Sequence, residues 1–534
     1  MVSGVGLELM NMRRALFLVL IAVLWAPAVS TQQPLAGFDA YVLKAMNDWR
    51  APGLAIAVVK DGEVVFAHGY GVRELGKPDT VDTRTLFAIG STTKAMTAAL
   101  VGMLVDEKKV DWDAPVTRYL PWFQLKDAAV TRELTVRDLL THRAGLGNAD
   151  YLWYGQRSST DEILRRVRLV DPAYPVRSGF IYQNVMYAAA GAVIEAASGK
   201  PWAEMMRLRI FQPLGMRDTI ATAAALAAHA NVASPHAVVD GRVRVIENVS
   251  VDPVAAAGAV WSNVDDMAKW MTFLLEGGRT SGASGKPLLS KDTFAELFKP
   301  QTIAPYDMYP TTRLTRPHWM TYGLGWFQQD YRGRAVDFHT GSIDGMVAIH
   351  GLIRDERLGV YVLGNLDHAE VRHALMYTVF DRVGGRSDRD WSVDFLKLYG
   401  DLQAEAAQDL ARRDARRVTG TSPSLPLQRL AGEYLDPLHG EVKVAYDGGG
   451  LRIEYGAAFV GTLEHWHFNT FRATWKAAWR APELVNFVLD ADGRPGTLEM
   501  MGTRFSRKAD ADAPSIVFER GPSSPSRSPS RSGR

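Results

Sequence analysis

Ser91 and Lys94 stand three residues apart in "LFAIGSTTKAMTAALVGMLV", residues 86–105, and Lys94 is the one charge in that stretch. Positions i and i+3 share a helix face, and a helix apolar on all sides is a buried one. A buried lysine loses hydration and tends to shed its proton. A serine hydroxyl needs a base before it can act as a nucleophile. The plainer alternative is that Lys94 snorkels its ammonium out to water along the carbon stem. Gly90 marks a tight helix start, which places Ser91 in the first turn among unpaired N–H groups and the positive dipole end. Two more short constellations follow: Tyr182-x-Asn184 in "GFIYQNVMY", and His339-Thr340-Gly341 in the strand-like "DFHTGSIDG". There is no G-x-S-x-G elbow, no H-E-x-x-H and no G-x-x-x-x-G-K-[ST] loop. His465-Trp466-His467 puts two histidines on one face of a strand, but no third ligand has a claim beside them. They read as ordinary polar residues, so no metal is expected.

The three constellations come in the order and rough spacing of the motifs of the serine β-lactamase and penicillin-binding protein superfamily. The chain resembles the class C-like branch, whose second motif is Y-x-N. The segments "LLTHRAGL", "FQPLGM", "AAGAVWSNVDDMAKW" and "YGLGW" resemble the same branch, and the likeness runs over roughly residues 36–385. It implies an α+β domain, an antiparallel sheet flanked by helices with a helical subdomain. It also implies that Ser91 is the acylated nucleophile, with Lys94 against it and Tyr182 sharing a hydrogen-bond network with both. Either Lys94 or a Tyr182 phenolate takes the serine proton. Asn184 would hold the substrate's amide carbonyl and help order Lys94. The oxyanion hole would be the backbone N–H groups of Ser91 and Ser342, after the His339-Thr340-Gly341 motif whose His339 and Thr340 line the far wall. No step uses a cofactor.

The third motif bears on substrate. β-Lactamases of the branch carry Lys-Thr-Gly there, whereas His-Thr-Gly resembles the D,D-peptidase, D-aminopeptidase and esterase side. A histidine titrating near ~6.5 is a pH-dependent cation, so His339 is expected to attract a substrate carboxylate when protonated. Its alternative is a strand histidine with no ligand role. The expected function is an exported serine hydrolase working through an acyl-enzyme on Ser91, a peptidase acting on short or cell-wall-type peptides. A carboxylesterase using the same residues, a β-lactamase, and a penicillin-binding sensor that hardly turns over are the alternatives.

These residues need a scaffold. The chain has 534 residues, 47% hydrophobic and 22% charged, with a net charge of +2, a globular composition with no basic block pointing to nucleic acid. Zero cysteines exclude disulfides and thiol catalysis. "MRRALFLVLIAVLWAPAVS", residues 12–30, reads as a signal peptide spanning residues 1–30, implying a periplasmic protein with no stable membrane insertion after cleavage. Asp61-Gly62 between two β-rich runs predicts a hairpin. Helices are expected over 135–145, 184–200 and 262–278, with strands returning over 322–365, so that N- and C-terminal strands share one sheet around a helical insertion. The catalytic domain is expected over 31–390, and a charged helical connector and linker over 391–426. A small β-barrel-like domain resembling a lipocalin-like one is expected over 427–510, then a disordered Ser/Pro/Arg-rich tail over 511–534.

Overall fold

The computed structural model describes residues 35–281, 285–386 and 388–508. The expected signal peptide and tail lie outside the described residues. β1 (Gly53–Lys60) and β2 (Glu63–Gly71) form the predicted hairpin, and Asp61 (φ 54°) and Gly62 (φ 86°) take the positive φ that a tight turn of this kind requires. Strands β3 (Thr302–Ile303), β4 (Met320–Tyr322), β5 (Phe327–Tyr331), β6 (Arg334–Ile343), β7 (Met346–Ile353) and β8 (Leu358–Gly364) complete an eight-stranded sheet. Its order is β2-β1-β8-β7-β6-β5-β4-β3. β1 pairs antiparallel with β8 from Leu54↔Gly364 to Lys60↔Leu358. The early and late strands therefore meet, as the pattern implied.

β1 shows how the sheet is buried on both faces. Its alternate residues Leu54, Ile56 and Val58 point into one core and Ala55, Ala57 and Val59 into the other. The first core is closed by α1 (Phe38–Trp49), α5 (Val371–Val383) and the start of α6 (Trp391–Asp414). The second is closed by the helical half of the domain: α2 (Thr93–Asp106), α3 (Asn184–Ser198) and α4 (Val264–Leu275). Every residue of α2 from Thr93 to Leu104 is buried, which is why its sequence has no polar face. Asn263 caps α4, and Gly199 (φ 72°) ends α3 in the left-handed conformation. The helix expected over 135–145 is only one turn, Val136–Leu139. Thr135 and Asp138 form a capping box at its start, and the chain then leaves the helix through His142, at φ 57°.

α6 buries Trp391, Ser392 and Phe395 and packs Leu398 and Tyr399 against the core, and its remaining turns are largely exposed and lead to the second domain. There β9 (Gly432–Asp436), β10 (Gly440–Tyr446), β11 (Leu451–Tyr455), β12 (Phe459–His467), β13 (Thr470–Trp475), β14 (Glu483–Leu489), β15 (Pro495–Met500) and β16 (Thr503–Arg507) form a closed barrel. Its alternating inward side chains, such as Val442, Val444, Leu451, Ile453 and Tyr455, fill the interior. Tyr154 of the first domain packs against this barrel core. No helix among the described residues is long and apolar enough to cross a membrane.

Candidate active site

Ser91 sits in a single 3₁₀ turn, Gly90–Thr92, that runs straight into α2. Two glycines let the backbone of β6 press against this turn. Gly90 has φ 52°, and a Cβ there would lie 2.7 Å from Ser342 N. A Cβ on Gly341 would lie 1.9 Å from Ile89 O and 3.1 Å from Ser91 N. Neither position tolerates a side chain. β6 is paired with β5 only as far as Phe338↔Phe327, so residues 339–343 run past that neighbour alongside Ser91.

Lys94 is completely buried, and its Nζ lies 3.0 Å from Ser91 Oγ, 2.8 Å from Asn184 Oδ1 and 2.8 Å from Ala257 O. It does not snorkel. Desolvation drives its pKa well below the usual lysine value, and the nearby Asp150 carboxylate offsets part of that effect. A neutral amine fits the three contacts: two N–H groups donate to Asn184 Oδ1 and Ala257 O, and the lone pair accepts the serine O–H. The arrangement can therefore deprotonate Ser91.

Asn184 opens α3, and Asp150 Oδ1 fixes the orientation of its amide by accepting from Asn184 Nδ2 at 3.0 Å and from Trp153 Nε1 at 2.8 Å. The Tyr182 hydroxyl is buried beside the Ser91 hydroxyl, without a hydrogen bond of good geometry among the described residues. Its ring contacts the lysine, with Nζ 4.8 Å from the centroid. Burial pushes the Tyr182 phenol well above its usual range, and the neighbouring Ser91 hydroxyl acts in the opposite direction without cancelling it. Of the two candidate bases, burial favours the lysine and disfavours the phenolate.

His339 needs the largest correction. It is 1% exposed, with Nε2 3.1 Å from Tyr322 Oη and Nδ1 2.6 Å from Thr340 O. Its ring packs 5.3 Å from Phe327 and 6.1 Å from Tyr182. Burial lowers its pKa to about 3, and Lys94 works in the same direction whenever it carries a proton. It is a neutral wall behind Tyr182 and offers a carboxylate no cation near pH 6.5. Thr340 turns to the other face of β6, where its hydroxyl is 2.8 Å from Tyr309 Oη. The two strand histidines of the barrel take backbone partners: His465 Nε2 lies 2.9 Å from Phe468 O, and His467 Nδ1 accepts from Val418 N.

Several residues join the site without having been singled out. His142, from "LLTHRAGL", is fully buried, and its Nδ1 accepts from Gln183 N at 3.0 Å. Its ring lies 4.2 Å from that of Tyr182. Tyr322, from "YGLGW", holds His339. Those segments carried the likeness, and their residue roles emerge only from packing. Asp150 carried no sequence signal.

A cavity of about 660 Å³ opens from Asn184 and Ser342 and runs between the two domains. Asp150, Tyr151 and Trp153 line one side, and Phe459, Trp475 and Trp479 of the barrel line the other. The barrel is anchored beside the end of β6. Arg480 Nη2 donates to Asp344 Oδ2 at 2.8 Å and its Nη1 to Tyr154 Oη at 2.9 Å. Asp344 also accepts from Tyr154 Oη at 2.8 Å and from Trp479 Nε1 at 3.1 Å.

Comparison with known proteins agrees with this geometry. A family model described as beta-lactamase matches residues 38–381, and a domain of unknown function, DUF3471, matches residues 416–516. Unguisins hydrolase ungD of Aspergillus violaceofuscus (strain CBS 115571) is 30% identical over 480 residues, covering 83% of each chain. Esterase EstB of Burkholderia gladioli is 35% identical over 202 residues, 34% of this chain and 50% of its own. The octameric penicillin-binding protein homologue from Pyrococcus abyssi shares the fold at a TM-score of 0.58, with 21% identity over 88% of this chain and 99% of that one. The chain belongs to the beta-lactamase family and is a serine hydrolase of that fold, carrying a C-terminal eight-stranded barrel.

Proposed function

We propose that this protein is a peptidase that cleaves short peptides through an acyl-enzyme on Ser91. The observation that carries the reading is a serine–amine pair, 3.0 Å apart with the amine desolvated, beside a cavity large enough for a peptide segment. In this reading the Lys94 amine takes the Ser91 proton as Oγ attacks the substrate carbonyl. The oxyanion forms against the N–H groups of Ser91 and Ser342. The Lys94 ammonium returns the proton to the departing amine, and water then releases the acyl group by the reverse proton path.

The charges along the cavity support a substrate without a carboxylate close to the scissile bond. Arg480 is already paired with Asp344, and the acidic residues Asp150, Asp367 and Glu483 also line the cavity. Amidated peptides and bonds inside a chain suit this better than a free C-terminus. A carboxylesterase is the second reading. The absence of a cation at His339 suits neutral esters equally well, and part of the chain is similar to an esterase. Export by the segment 12–30 is part of the same proposal, and the N-terminal mass of the mature protein tests it. Matched peptide amides, peptide acids and short-chain esters, followed by intact mass and by turnover, test the substrate. Acylation of Ser91 by peptide amides, faster than by the matched acids, is expected. Turnover of esters alone would replace the peptidase reading with the esterase one.

A further inference from the structure

Behind the oxyanion strand lies a buried charged cluster that the chemistry above does not use. Arg372, in the first turn of α5, is 4% exposed, Glu370 is 8% exposed and His373 is fully buried. Glu370 grips the guanidinium with both oxygens, Oε1 at 3.0 Å from Nη2 and Oε2 at 3.1 Å from Nε. Oε2 also lies 2.8 Å from His373 Nδ1. The guanidinium and the imidazole hold the Glu370 carboxyl well below its ordinary pKa.

The free edge of the guanidinium reaches the Gly341–Ser342 segment and the neighbouring carbonyl of Ala348. Arg372 Nη1 donates to Gly341 O, to Ser342 Oγ at 2.9 Å and to Ala348 O at 3.1 Å. Gly341 O and the Ser342 N–H belong to the same peptide group, and in a trans peptide they point in opposite directions. An arginine on the carbonyl therefore turns the N–H away from itself, toward the Ser91 turn, where Ser342 N meets Gly90. A cationic donor on the carbonyl also withdraws electron density through the amide, which makes the N–H a stronger donor. Buried ion pairs are poor stability devices, because desolvation of both charges opposes their attraction.

We infer that Arg372 is a positioning residue for the oxyanion hole: held by Glu370, it orients and polarises the Gly341–Ser342 peptide whose N–H faces the reacting carbonyl. The inference rests on the acyl-enzyme reading, in which the Ser342 N–H is an oxyanion donor. Loss of an oxyanion donor costs ~10²–10³-fold in kcat. A donor left in place but poorly held costs less, on the order of 10–10²-fold by the same scale.

The test uses the full chain with Arg372→Lys. It also uses the double variant Glu370→Gln/Arg372→Gln, which removes both charges together and leaves no unpaired buried ion. The assays are turnover of an activated ester, affinity for an alkylboronic acid that forms a tetrahedral adduct on Ser91, and the melting temperature. The expected result is a fall in kcat of ~10–10²-fold with KM nearly unchanged, and a parallel loss of boronate affinity. A purely structural role would lower the melting temperature and leave kcat of the folded protein intact. Folded variants with kcat within twofold of wild type, or a loss confined to KM, overturn the inference alone. Failure of wild-type Ser91 to take a serine-reactive phosphonate would overturn the acyl-enzyme reading and this inference with it.

Discussion

Arg480→Leu should detach the barrel wall from the oxyanion-strand turn and raise KM for peptides. Arg480 is 7% and Asp344 13% exposed, so their ion pair is largely desolvated. The substitution removes the donors to Asp344 and to Tyr154 and takes the guanidinium off the Tyr154 and Phe459 rings, 4.9 and 4.8 Å from its centre. Truncating one partner of a buried pair costs ~3–5 kcal/mol. Asp344 keeps its hydrogen bonds from Tyr154 and Trp479, which places the loss at the low end of that range, about 3 kcal/mol. At 1.36 kcal/mol per decade this is roughly a hundredfold in barrel docking. KM for peptides that fill the cavity should rise at least ~10-fold, while a small acetyl ester, which needs only Ser91 and Lys94, should change little. The assay is steady-state kinetics on both substrates, in a double-mutant cycle with Asp344→Asn. A coupling energy above ~1.5 kcal/mol in peptide kcat/KM is expected for charges in direct contact. Near-additive variants with wild-type peptide KM would refute the idea that this contact builds the substrate wall.

Ser91→Ala should abolish turnover and phosphonate labelling without unfolding the protein; full-rate labelling of that variant would show a different nucleophile. Lys94→Ala should slow acylation by ~10²–10⁴-fold, and Tyr182→Phe should cost less, because burial holds the phenol protonated. The reverse order in single-turnover rates would move the base to Tyr182. Activity should rise with pH as Lys94 loses its proton, with a midpoint below the ordinary lysine value of 10.5. Stability should show the opposite partner of burial, because His339 and His350 are lowered to about 3 while the unfolded chain takes protons below ~6.5. The unfolded state then binds more protons, so stability falls as pH drops from 6.5 toward 3, by about 2 kcal/mol per histidine at pH 5. Among the described residues neither ring nitrogen of His350 has a hydrogen-bond partner, and the ring is wedged against Trp326 and Tyr361. His350→Leu should therefore remove its ~2 kcal/mol share of the drop in urea stability between pH 7 and pH 5.

Much of the architecture was legible in residue order. Asp61-Gly62 between apolar runs could make only a hairpin, and the all-round apolar α2 could only be buried. The alternating strands bounded by turns marked a small all-β domain, barrel or sandwich, and the fold shows them closed into a barrel. The serine–lysine pair was legible too, because i and i+3 adjacency is a local property of any helix. Ionisation states were not, since a pKa depends on everything packed around a group. His339 sits in a motif that reads as a titratable cation, but strands and aromatic rings distant in sequence bury it and hold it neutral. Tyr182 is kept a neutral phenol for the same reason, since burial among residues distant in sequence, His142 included, pushes its pKa well above the usual range. Arg372 and Arg480 lie 30 and 138 residues from Ser342, and nothing local marks either one. Sequence determined most of the elements and the adjacency of Ser91 and Lys94 through short-range spacing and hydrophobic periodicity, and the family resemblance made Ser91 the candidate nucleophile. Tertiary structure alone decided which carbonyl an arginine holds, which histidine stays neutral and which domain walls the cleft, because burial and long-range contact exist only after folding.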